Sequence, residues 1–137
     1  MKRHIASLFV AAAAVAACSS SSGSDCQVEG TYALSQAIDT SADNSCNASG
    51  TTSPTTVTVT SDGEVGFQGV TGNCPGKVSA CKLTAQCDGT LTGGGVSTIQ
   101  LSWTFDAKGF HGSSALGAQP TGKPKCSATF VDTATRK

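Results

Sequence analysis

Residues 99–105, Ile-Gln-Leu-Ser-Trp-Thr-Phe, alternate without a break: Ile99, Leu101, Trp103 and Phe105 share one parity, and Gln100, Ser102 and Thr104 share the other. That is the pattern of a β-strand with one apolar face and one hydroxyl and amide face. The same period continues on both sides. Upstream, Val28, Tyr32 and Leu34 share a parity with Gly30, and Val57 and Val59 sit among threonines. Val65 and Phe67 follow, then Cys81, Leu83, Ala85 and Cys87. Downstream, Cys126, Ala128 and Phe130 close the series. No window carries the i, i+3, i+4 spacing of an amphipathic helix.

Turn residues separate these runs. Asp62-Gly63, Asp88-Gly89 and the segment Asp106 to Gly109 supply side chains that tolerate positive φ. Residues 39–55 are rich in Ser, Thr, Asn and Asp and contain Cys46, which reads as a long loop pinned by a disulfide. Strands about ten residues apart, joined by tight turns, predict an all-β domain. Sequential hairpins favour an antiparallel up-and-down (meander) β-barrel of about eight strands, with a two-sheet β-sandwich as the alternative.

The first residues have a different logic. Lys2, Arg3 and His4 precede an apolar run of 13 residues, 5–17. A membrane span needs about 20 apolar residues and a signal-peptide core about 7–15, so this run reads as an export signal. Val15-Ala16-Ala17-Cys18 resembles the lipobox of bacterial lipoproteins, and Ser19 to Ser24 follow it as a polar stretch. The resemblance implies a thioether-linked diacylglyceryl group on Cys18, an acylated amino terminus and a location in the cell envelope. Ser19 after the cysteine fits sorting to the outer membrane. The chain thus divides into a signal peptide (1–17), a lipidated N-terminus and Ser-rich tether (18–25) and one β domain (26–137).

Cysteine parity supports this division. Seven cysteines leave one unpaired in an oxidising compartment, but lipidation of Cys18 leaves six: Cys26, Cys46, Cys74, Cys81, Cys87 and Cys126. Removing 17 of 137 residues leaves 120, of which only 19 are Leu, Ile, Val or Phe. So thin a core calls for staples, and in an exported domain disulfides supply them. If residues 81–87 are one extended strand, Cys81 and Cys87 lie about 20 Å apart and cannot pair with each other.

Three stretches resemble the meander barrels of the avidin and lipocalin families: Cys26 to Tyr32, Gly63 to Gly69, and Ile99 to Gly112. The resemblance implies a barrel in which Tyr32, Phe67, Trp103 and Phe105 either fill the interior or line a ligand site. It also implies that a basic residue such as Arg136 covers the barrel end near Tyr32. No biotin-contacting residue carries over, because this chain has a single tryptophan.

Candidates for chemistry are few. The mature chain has 7 basic and 9 acidic side chains and one histidine, His111. Such a balance lacks the basic stripe of a nucleic-acid binder. Cys74, Cys81 and Cys87 lack zinc-module spacing, so no metal or other cofactor is expected. The carboxylates, Asp132 among them, read as scattered and mostly near turns. The chain reads as a non-enzymatic binding or interaction module, held to a membrane by its lipid and taking a protein or a small apolar ligand. A structural or surface-coat lipoprotein is the alternative. Intact mass of the membrane-extracted protein is expected to show lipid on Cys18 and six hydrogens lost to three disulfides. An unlipidated chain beginning at Ala17 contradicts the anchor.

Overall fold

A computed structural model describes residues 26–137; the leader, Cys18 and the tether lie outside the described residues. Nine antiparallel strands form one sheet: β1 (Gly30–Ile38), β2 (Thr55–Val59), β3 (Val65–Phe67), β4 (Asn73–Cys74), β5 (Gly76–Ser79), β6 (Lys82–Thr90), β7 (Gly95–Phe105), β8 (Gly109–Pro120) and β9 (Cys126–Arg136). The described residues contain no helix. The order is β4-β3-β2-β1-β9-β8-β7-β6-β5, a meander whose last strand returns to pair with the first. The result is a nearly closed barrel, the first of the two architectures that the turn spacing allows.

The ninth strand arises at the seam. β4 and β5 flank Pro75 and form two halves of one bent stave: β4 pairs with β3, and β5 pairs with β6. Proline has no N–H to give a ladder, so the stave changes partner there. Its carbonyl still accepts from Gln86 N at 3.2 Å, and the Cys74–Cys87 disulfide ties β4 to β6 across the gap. Hydrogen bonding and a covalent bridge close what the strand ladder leaves open.

The other two bridges secure opposite ends. Cys26–Cys81 holds the segment before β1 to the β5–β6 turn, and Cys46–Cys126 holds the long β1–β2 loop to the start of β9. These separations in sequence, 55 and 80 residues, make both loops costly to close in an unfolded chain without the bridge. The β1–β2 loop is further ordered by Asp39 N to Thr129 O, Cys46 N to Ser127 O and Thr51 N to Gln36 O. It extends the barrel wall beyond the end of β1.

Burial divides the barrel along its length. At the end where β1 begins, Tyr32, Leu34, Val57, Val65, Leu83, Trp103, Phe105 and Phe110 are all at most 3 % exposed. At the other end the inward-facing Ile38, Ile99, Leu116 and Phe130 are only half-buried. One end is packed solid; at the other, the open end, these four side chains stay partly exposed, although Leu101, Ala85 and Ala128 beside them are buried.

Candidate functional site

Register places Leu83, Trp103, Gly112, Asp132 and Gln36 in one row around the inner wall, across β6, β7, β8, β9 and β1. Gly112 is the gap in that row. A Cβ there would stand 2.0 Å from the Ser102 carbonyl oxygen and 2.9 Å from Trp103 Cα. Glycine at 112 thus lets β8 lie against the β7 backbone, and the Trp103 indole donates Nε1–H to Asp132 Oδ2 on β9 at 2.7 Å. Phe110 stacks on the indole from the packed end, with ring centres 4.1 Å apart and planes 17° apart.

Asp132 is fully buried, and each of its side-chain partners among the described residues donates to it. Besides the indole, Ser114 Oγ donates to Oδ1 at 3.1 Å, and Gln36 Nε2 donates to the same oxygen at 3.1 Å. Gln36 Nε2 also donates to Ser114 Oγ at 2.9 Å, which leaves that hydroxyl's proton for Asp132. A buried carboxyl group without partners is strongly destabilising, whereas a fully satisfied network fixes one arrangement. The network lies across the middle of the barrel, with the aromatic cluster on one side and the half-buried apolar wall on the other. Gln36 is its one half-buried member. Among the described residues, its Oε1 accepts no hydrogen bond.

Below this floor, three of the four aromatic residues marked in the sequence pack together. Tyr32 meets Phe105 and Phe110 edge-on at 5.5 and 5.2 Å, and Phe105 lies 5.1 Å from Phe110. Trp103 joins them through Phe110, so these rings fill the closed end rather than line an opening. Phe67 alone is half-buried, 6.5 Å from Trp103. Arg136 closes the end beneath them. It donates to the Glu29 and Gln27 carbonyls and to Tyr32 Oη, and its guanidinium carbon lies 4.9 Å from the Tyr32 ring centre. Gly30 makes the seat: a Cβ there would collide with Arg136 Nη1 at 2.3 Å. Burial pushes the Tyr32 phenol up, and the Arg136 charge offsets part of that rise.

At the open end, Asp43 clamps the β1–β2 loop. Hydrogen bonds from Ser127 and then Ser45 hold its carboxyl below the usual carboxylate range. His111 is exposed on β8, and among the described residues no group of three metal-ligating side chains comes together. Comparison of the chain with family models, curated proteins and solved structures finds no match.

Asp132 corrects the reading of the carboxylates as scattered turn residues. It sits in mid-strand, on the parity of Ala128, Phe130 and Ala134, and that inward parity was the available signal. Ser114 and Gln36 carried none, because alternation alone does not separate a buried Ser or Gln from a solvated one. Replacing Asp132 by Ala orphans the buried indole N–H and is expected to cost about 1–3 kcal/mol in urea unfolding. Asp132→Asn keeps an acceptor for the indole and is expected to cost less. The reverse order contradicts the assignment.

Proposed function

We propose that this protein is a lipid-anchored envelope module, attached through Cys18 to the outer membrane, whose barrel binds a small molecule at its open end. The observation that carries the reading is the change in the inner wall above Asp132. Ile38 and Phe130 in one row, and Ile99 and Leu116 in the next, are half-buried apolar side chains over a hydrogen-bonding floor in which half-buried Gln36 leaves its Oε1 unspent. Ligand sites have this composition: mostly apolar walls with a few fixed polar groups. The ligand is a small, predominantly apolar molecule with a hydrogen-bond donor at one tip.

The anchor suits this use. The tether enters the domain at Cys26, at the packed end, where the Cys26–Cys81 bridge fixes it. Eight residues from Cys18 to Cys26 extend at most about 28 Å. The open end is therefore the end remote from the lipid, and ligand arrives from the aqueous side. The second reading, a surface coat with no small-molecule site, draws on the Thr- and Ser-rich outer face.

N-phenyl-1-naphthylamine titrated into the unlipidated domain separates the two. The binding reading expects saturable fluorescence enhancement at one probe per chain, weakened at least tenfold by Phe130→Lys. Val131→Lys, on the outward face of the same strand, is expected to leave it intact. No saturable binding, or equal effects of the two variants, rejects the open end as a site.

A further inference from the structure

The outer wall carries a separate concavity of about 560 Å³ over β5–β8. Register sets Lys77, Thr84, Ser102 and Ser113 in one row across these four strands, with Gln86 and Gln100 beside them in the next. All six side chains face outward and are exposed. Gln86 spends its side-chain amide on Asp88, whereas the side chains of Thr84, Gln100, Ser102 and Ser113 donate to no other described residue. Short hydroxyl side chains leave the concavity open, and the strands repeat its donors and acceptors about every 4.8 Å.

The chemistry of this lining is selective. It has one charge, Lys77, so it lacks the cationic cluster that a phosphate-rich ligand needs. It has no aromatic or Arg anchor of the kind that dominates protein interfaces. Hydroxyl and amide groups in regular rows, with Pro75, Ala85, Leu101 and Ala115 giving apolar surface between them, match a ligand that is a regular series of uncharged hydroxyl groups on an apolar frame. We propose that the β5–β8 groove binds an uncharged glycan chain laid across the strands. The site is independent of the barrel interior, since its polar side chains stand on the opposite face of the strands.

Such binding rests on neutral hydrogen bonds, so it is weak and insensitive to salt. The test uses the full lipidated chain in a zwitterionic detergent without a sugar headgroup, titrated with chitohexaose, cellohexaose and maltohexaose by calorimetry. The expected result is saturable binding of at least one, in the millimolar range or tighter. It weakens at least tenfold in Ser102→Leu and Ser113→Leu and is unchanged in Thr133→Leu, outward on β9 but outside the groove. Intact disulfides by mass and an unchanged melting temperature show that the groove variants are folded. Phe130→Lys, which tests the open end, is expected to leave glycan binding unchanged. No binding of any of the three, equal losses in the groove and control variants, or a groove covered by a second copy of the chain in solution overturns the proposal.

Discussion

The hydrogen bond from the Trp103 indole to Asp132 spans β7 to β9 across a strand that offers no side chain. Everything else inside the barrel is arranged around that reach. Phe110 stacks beneath the indole, Ser114 and Gln36 donate to the carboxylate oxygen that it leaves free, and bare Gly112 lets β8 lie against the β7 backbone between them. The chain has one tryptophan and few large apolar residues, so a bulky ring fixed in one orientation fills space that smaller side chains could not. The carboxyl group sets that orientation, and burying it is tolerable only because three donors meet it.

Fixing the ring in this way gives the barrel two unlike halves. Toward the start of β1, aromatic packing and the Arg136 cover exclude solvent. Away from it, aliphatic side chains and Phe130 line the inner wall above Asp132, and Ile38, Ile99, Leu116 and Phe130 are only half-buried. The three disulfides follow the same division. One fixes the packed end, one closes the seam at Pro75, and one braces the loop at the open end. A thin core with such staples can hold an open end that packing alone would let collapse.

The strands were legible because alternation is a local property, and Ile99 to Phe105 shows it without interruption. The meander followed from turn chemistry between successive runs. Disulfide partners were not legible: six cysteines permit many pairings, and the choice depends on which strands become neighbours when β9 returns to β1. The polar floor failed for the same reason. Gln36, Ser114 and Asp132 are 78 and 18 residues apart in sequence, and only the register of three strands brings them together. Gly112 looked like one glycine among 16, yet the β7 backbone lies too close to it for any Cβ.

Hydrogen exchange at a single site tests the central interaction most directly. The Trp103 indole N–H, followed by NMR in deuterated buffer, is buried and donates to Asp132, so it is expected to persist with the slowest-exchanging strand amides. An indole proton that exchanges as fast as those of the exposed turns would mean that Trp103 is not tied to Asp132, and that the division of the barrel into a packed and an open half has another cause.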